Sequence, residues 1–248
     1  MKQRRFVIGD IHGAYKALIQ VLEASKFDYK KDLLISLGDV ADGWSQVPEC
    51  FEELLKIKNL IYIMGNHDNW LYQWFKFGSS PYIWTAQGGQ ATINAYLRHY
   101  VEDSERNGVE MAHRHEELLS KALYYYELDR MLFVHGGYDW HYSIKDQLPG
   151  DLMWDRHLYE TAIMWHKYNL IHPKEKQNIV EEYEKIFIGH TTTSYTDKEM
   201  KPVKVTNVIN LDQGAGWEGK LTLMDIDTEK YWQSDLVYSL YPKEKGRR

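Results

Sequence analysis

Five short segments of this sequence set aspartate, asparagine or histidine beside glycine. They are Gly9-Asp10-Ile11-His12-Gly13, Gly38-Asp39-Val40-Ala41-Asp42, Gly65-Asn66-His67-Asp68, His135-Gly136-Gly137 and Gly189-His190-Thr191. Carboxylate, carboxamide and imidazole together suit divalent transition metals such as Mn, Fe or Zn. The set lacks thiolate and is too rich in histidine for a simple magnesium or calcium site. The donors suffice for two ions sharing one carboxylate. Two ions roughly 3.5–4 Å apart are the usual machinery for in-line displacement at phosphorus. Glycine beside each donor permits the sharp turn that aims a side chain into a site. Any one segment alone also reads as turn chemistry. Five in series, each after an apolar run, are hard to explain as turns.

The apolar runs are the elements that must position these donors. Arg5–Ile8, Leu33–Leu37 and Leu60–Met64 read as short buried strands. Between them Leu18, Val21 and Leu22, then Val47, Cys50, Phe51, Leu54 and Leu55, recur at helical spacing. The alternation implies a sheet with helices on its faces, and such sheets bind ligands at the C-terminal ends of their strands. Further on, helices are expected over Asn69–Phe77, Ala91–Tyr100 and Val109–Leu123, and again over Leu152–Asn169 and Lys174–Lys185. Strands are expected at Tyr124–Leu128, Met131–Val134, Ile186–Ile188, Val203–Leu211, Leu221–Ile226 and Tyr231–Ser234. The densely charged segment Glu102–Glu117 reads as a solvated helix face.

The 248 residues carry 30 Lys+Arg against 36 Asp+Glu, a formal net charge of −6. That balance disfavours general nucleic-acid binding, which uses a basic stripe. The basic clusters Lys2–Arg5 and Lys243–Arg248 read as frayed, solvated termini. The single cysteine, Cys50, cannot form an intrachain disulfide, which points to a reducing compartment. Its place on an apolar helix face makes it a buried structural thiol. No segment suits a signal peptide or a membrane span, so a cytoplasmic protein is expected. No repeat or linker marks a boundary, so residues 1–248 read as one domain with helical additions around 91–123 and 152–185.

The motifs GDxHG, GDxxD, GNHD, VHGG and GHT stand in one order from Gly9 to Thr191. In this the sequence resembles the calcineurin-like metallophosphoesterases, in particular the branch holding Ser/Thr protein phosphatases and symmetrical diadenosine tetraphosphatases. Gly88-Gly89-Gln90-Ala91-Thr92 and Asn210-Leu211-Asp212-Gln213-Gly214-Ala215-Gly216 also look like that family's segments. The resemblance implies a four-layer αββα sandwich of two mixed sheets with two metal ions at the strand ends, most readily manganese, with iron or zinc as alternatives. It implies that Asp10 and His12 bind the first metal, Asp39 bridges both, and Asn66, His135 and His190 complete the second site. His67 would protonate the leaving oxygen, and Asp42 would pair with it and keep it protonated. Water activated between the metals would attack phosphorus.

Two departures leave the substrate's phosphate without its usual grip. Family members with GDxVDRG carry an arginine where Gly43 stands here, and an arginine that often precedes GNH is replaced by Met64. Arg156, in Leu152-Met153-Trp154-Asp155-Arg156, resembles the W-x-R stretch of bacterial and phage members. A guanidinium there binds two phosphate oxygens at once. The alternative is an exposed helix charge paired with Asp155 or Glu160. Asp68 reads either as a carboxylate orienting a metal-bound histidine or as a helix cap. Trp44, Trp70, Trp74, Trp84, Trp140 and Trp154 read either as a stacking wall for a nucleobase or as core packing. The activity expected is a phosphomonoesterase acting on phosphorylated Ser/Thr, and also Tyr, side chains of a protein or peptide. A dinucleoside polyphosphate hydrolase and an idle metal-binding interaction domain are the alternatives.

Overall fold

Period-two alternation along the strands decides the layering of this chain. The computed structural model describes residues 3–102, 105–171, 178–193 and 198–247. In β1 (Arg5–Ile8), Phe6 and Ile8 pack with helices α1 (Tyr15–Ala24) and α2 (Val47–Leu55). Val7, between them, points the other way into a separate cluster. That cluster joins Ile35, Leu37 and Ile63 to Phe133, Phe187 and Ile209 of a second sheet. The outer face of the second sheet offers Leu132, Val134, Ile186 and Ile188 to helices α7 (Pro149–Trp154) and α8 (His157–Ile171). The result is the expected αββα sandwich. Its central layer includes Phe133 and Phe187, stacked with centroids 4.9 Å apart.

Each sheet has five strands. The first runs β10-β9-β1-β2-β3, with β2 (Leu33–Ser36), β3 (Asn59–Tyr62), β9 (Thr222–Asp225) and β10 (Tyr231–Gln233). The second runs β4-β5-β6-β8-β7, with β4 (Tyr125–Leu128), β5 (Met131–Val134), β6 (Lys185–Ile188), β7 (Val203–Val205) and β8 (Val208–Asn210). Strands β1, β2 and β3 are parallel, as are β5, β6 and β8. Six parallel strands therefore deliver their C-terminal ends to one rim. The remaining strands are antiparallel additions. The β4–β5 hairpin turns through Asp129 and Arg130, both at positive φ, the two-residue geometry whose twist matches the strands.

Several elements differ from expectation. Helix α3 spans Asn66–Phe77, beginning three residues early. Asp68 Oδ2 accepts the Gly65 N–H and closes its first turn, so Asn66 and His67 belong to the helix. The expected helix over Leu152–Asn169 breaks where Asp155 leaves helical geometry at φ −60°, ψ 136°. Its Oδ1 then caps α8 by accepting the Leu158 N–H at 3.0 Å. Of the helix expected over Lys174–Lys185, residues 174–177 lie outside the described residues, and residues 178–184 are not helical. The Asn207 side chain takes their backbone groups: the Ile179 N–H, and the carbonyls of Val180 and Tyr183.

Further helices are α4 (Tyr82–Trp84), α5 (Gln90–Glu102), α6 (Glu105–Ser120) and α9 (Val237–Leu240). Within the two basic clusters expected to be frayed, Arg4, Arg5 and Arg247 are held by contacts among the described residues. Arg4 pairs with Asp32, and Arg5 with Asp129 and Asp227. Lys2 and Arg248 lie outside the described residues. Cys50 is buried, as expected. No helix among the described residues is long and apolar enough to cross a membrane.

Candidate metal centre

The rim formed by the six parallel strands carries every segment singled out in the sequence. Asp10 and His12 follow β1, Asp39 follows β2, and Asn66 and His67 follow β3. His135 follows β5, His190 follows β6, and Asp212 follows β8. His12, Asp39, Asp42 and His190 all have φ between 50° and 71°. Non-glycine residues avoid this region, and such strain gathers at functional sites where the surroundings over-determine it.

Donor atoms fall into two groups, each within 4.8 Å of one another: Asp10, His12 and Asp39, and Asp39, His135 and His190. Asp39 belongs to both. Its Oδ2 lies 3.7 Å from His12 Nε2 and 3.3 Å from His135 Nε2. Asn66 Oδ1 joins the second group, 3.1 Å from His135 Nε2 and 2.9 Å from His190 Nδ1. Backbone carbonyls set two of the rings. His12 donates Nδ1–H to Ala41 O at 2.9 Å, and His135 donates Nδ1–H to Leu37 O at 2.7 Å. Each ring is thereby oriented with Nε2 toward the carboxylates.

The electrostatics call for cations. Burial, with the charge of Asp212 next, pushes the Asp10 carboxyl well above the usual carboxylate range. Burial raises Asp212 as well. Burial also opposes the charge on Asp39, but His135, His67 and His12 outweigh it and hold it well below that range. Burial, then Arg247, lowers His12, while burial, then His135, takes His190 down to about 2. His135 goes the other way: against burial, the charge of Asp39 raises it to about 10, so the imidazoles held neutral beside the buried carboxylates are those of His12 and His190. His190 Nε2 is shut off from solvent and has no hydrogen-bond partner among the described residues. Carboxylate, amide oxygen and neutral imidazole are the donor set of divalent transition metals. The residues fit two such ions sharing Asp39.

His67 and Asp42 stand beside this centre. His67 Nδ1 lies 2.5 Å from Asp42 Oδ2. The same oxygen accepts Trp84 Nε1–H at 2.8 Å, and Asp42 Oδ1 accepts the Thr92 hydroxyl at 2.7 Å. Asp68 hydrogen-bonds no histidine side chain among the described residues: its Oδ1 accepts the N–H groups of Val40 and Ala41. It pins the loop carrying Asp39 and Asp42 to the start of α3.

A cavity of about 300 Å³ opens above the donors, lined by His67, Trp154, Arg156, His190, Trp217 and Arg247 among others. Arg156 reaches it from the break between α7 and α8, exposed and without an ion pair to Asp155 or Glu160 among the described residues. Trp44 and Trp84 are buried in the core. Trp70 packs edge-on against His67, and Trp140 stacks on His157. Of the tryptophans singled out, only Trp154 lines the cavity. A larger cleft of about 650 Å³ shares Trp154, but Asp139, Asp146, Asp151 and Asp155 line it, and those charges repel phosphate. Sequence reading missed Arg247, Trp217 and the supports of Asp42. Asp212 lay in a segment that was recognised but given no role.

Fold and donor set together define a dimetal phosphoesterase. The profile of the calcineurin-like phosphoesterases matches residues 4–211, and the chain belongs to that family as a metal-dependent phosphatase. It is 24% identical over 224 residues to serine/threonine-protein phosphatase 1 of Salmonella typhimurium, covering 89% of this chain and 91% of the relative. It is 27% identical over 144 residues to the asymmetrical bis(5'-nucleosyl)-tetraphosphatase PrpE of Halalkalibacterium halodurans, covering 53% and 56%. A solved structure of a candidate diadenosine tetraphosphatase superposes with a TM-score of 0.61 at 15% identity, covering 93% of this chain and 92% of that one.

Proposed function

We propose that this protein hydrolyses phosphomonoesters, chiefly phosphorylated serine and threonine side chains, with phosphotyrosine as a further substrate. One observation carries the reading. The cavity of about 300 Å³ is at the small end for ligand pockets. It suits a phosphoryl group and the side chain bearing it, and of the six tryptophans singled out as a base-stacking wall only Trp154 lines it.

In this reading Asp10, His12 and Asp39 would hold one ion, and Asp39, Asn66, His135 and His190 the other, with manganese the first candidate and iron or zinc the alternatives. The ions, when bound, polarise the phosphoryl oxygens and activate the attacking water. His67 lines the cavity with Nδ1 committed to Asp42, so the proton for the leaving oxygen comes from Nε2. Asp42 holds the ring in that orientation. Arg156 offers its guanidinium edge to two phosphoryl oxygens.

A second reading, dinucleoside polyphosphate hydrolysis, is favoured by Trp154 and Trp217, which border the same cavity and offer faces to a base. The test is a substrate panel on protein loaded with Mn²⁺: p-nitrophenyl phosphate, phosphoserine and phosphotyrosine peptides, diadenosine tetraphosphate and a phosphodiester. A clear preference for the phosphopeptides supports the first reading. Preference for the dinucleotide replaces it with the second. No turnover at all, with both metals bound, moves the protein to an idle metal-binding domain.

A further inference from the structure

We propose that Arg247, from the far end of the chain, is a phosphate-binding arginine of this site and works opposite Arg156. The proposal rests on the phosphoesterase reading of the cavity and goes beyond it by assigning the missing arginine. Its side chain runs through a slot made by three glycines. A Cβ at Gly43 would stand 3.1 Å from Arg247 Cγ, one at Gly88 3.3 Å from Cγ, and one at Gly216 2.8 Å from Cδ. Gly43 is the position where relatives with GDxVDRG carry their arginine. Here the space beside it holds the aliphatic stem of Arg247. The guanidinium thus reaches the same neighbourhood from a different part of the chain.

The segment leading to Arg247 is anchored along its length. Tyr241 stacks on Trp44 with centroids 5.0 Å apart and donates its hydroxyl to Gln46 Oε1. Glu244 accepts the N–H and the hydroxyl of Ser45. Arg247 N–H donates to Gly216 O at 2.9 Å, its Nε–H donates to Gln87 O at 3.3 Å, and its Cζ lies 5.2 Å from the Trp217 ring centroid. These contacts preorganise the guanidinium, so little entropy is lost when it binds an anion.

The contact at its tip indicates the ligand. Arg247 Nη1 donates to His12 Nε2 at 3.3 Å. That lone pair cannot serve both Nη1 and an ion, so an ion held by His12 releases Nη1. A guanidinium beside a divalent cation is repelled unless an anion lies between them. Asp212 lines the same cavity and feels the charge of Arg247, but no ion pair joins them among the described residues, so the guanidinium keeps donors for an anion from outside the chain. A phosphoryl group on the ions supplies it, gripped by Arg247 from the His12 side and by Arg156 from the His190 side.

The test measures inorganic phosphate binding by calorimetry on Mn²⁺-loaded wild type, Arg247→Ala and Arg247→Lys, with metal content and melting temperature recorded beside it. Losing a charge-assisted contact of about 2 kcal/mol weakens phosphate roughly thirtyfold in Arg247→Ala, with both metals retained. Arg247→Lys recovers part of it, because the charge remains and the fork is lost. Added guanidinium ion restores affinity to Arg247→Ala, which a purely structural role does not predict. Unchanged phosphate affinity in Arg247→Ala overturns the proposal. So does tighter phosphate binding or faster turnover in that variant, which makes Arg247 a plug. Failure of wild type to bind phosphate overturns it too. Turnover of p-nitrophenyl phosphate by wild type, measured separately, keeps the phosphoesterase reading distinct.

Discussion

Trp84 and His67 share one acceptor: Asp42 Oδ2 receives the indole N–H at 2.8 Å and faces His67 Nδ1 at 2.5 Å. Asp42 is itself fully buried at positive φ. A carboxylate so placed keeps its position only if every oxygen is held, and Trp84 and Thr92 do this from the segment after α3.

Trp84→Phe removes the donor while keeping most of the ring volume. The Asp42 carboxylate then loses one charge-assisted bond of about 1.5 kcal/mol. Turnover of a phosphoserine peptide is expected to fall about tenfold, with metal content unchanged. Thr92→Val acts on the other oxygen and should give a similar loss. Full activity in both variants would show that Asp42 needs no such support.

The reach of sequence reading follows from how far each interaction lies along the chain. The donors were legible because each sits next to a glycine at the end of its own strand, a local pattern. The four-layer sandwich came from the family resemblance: the apolar runs, β1 and β5 among them, implied only a sheet with helices on its faces, because a strand buried on both sides carries no alternation. The supports of Asp42 were not legible, because Trp84 and Thr92 lie 42 and 50 residues away. Arg247 lies 235 residues from His12, and only the folded chain brings its side chain through the glycine slot. The break at Asp155 carries no proline or glycine. It depends on a side-chain cap competing with the helix, which periodicity does not register.

Gly65 is a position where closeness, not flexibility, demands glycine. A Cβ there would lie 2.1 Å from Asp39 Oδ1 and 2.3 Å from the Asp39 N atom. Gly65→Ala must therefore displace the carboxylate shared by both donor groups. Metal bound after dialysis against Mn²⁺ is expected to fall from two ions to one or none. Gly78→Ala, with open space around its Cβ but a left-handed φ of 66°, should cost about 1 kcal/mol of stability and leave metal content intact. Two ions retained by Gly65→Ala would contradict the shared role of Asp39.

A buried histidine paired with a part-exposed glutamate outside the site predicts a pH dependence of stability. His115 is fully buried, with Nδ1 2.7 Å from the Tyr96 hydroxyl and Nε2 3.0 Å from Glu52 Oε1. Burial holds His115 below its ordinary value, against the pull of Glu52. The hydrogen bond from His115, helped by Arg114, takes Glu52 down to about 2. The unfolded chain therefore binds protons that the native chain refuses. Stability is complete above about pH 6.5 and falls as pH drops, first through the His115 window, then between about 4.5 and 2 through Glu52. Urea unfolding at pH 7.5 and 5.5 should show a smaller loss in His115→Gln than in wild type. Glu52→Gln should leave that loss in place and reduce only the one below pH 4.5. Equal losses in His115→Gln and wild type would remove His115 from the account.

The proposed division of labour between His67 and Asp39 is separable by two substitutions. His67 enters the donor region through its backbone, where its N–H donates to Asp39 Oδ1 at 2.9 Å. Its imidazole faces Asp42 and the cavity instead. His67→Asn keeps the backbone donor and removes the proton carrier. Turnover is expected to fall about 10²- to 10⁴-fold, while two metals stay bound. Asp39→Asn keeps the side chain's size and shape but removes the charge common to both groups, so metal content and turnover should fall together. The loss in His67→Asn should also shrink for substrates whose leaving group needs no proton: p-nitrophenyl phosphate should be less affected than a phosphoserine peptide. Metal loss in His67→Asn, or an equal effect on both substrates, would assign the ring to metal binding or to holding the phosphoryl group rather than to the leaving oxygen.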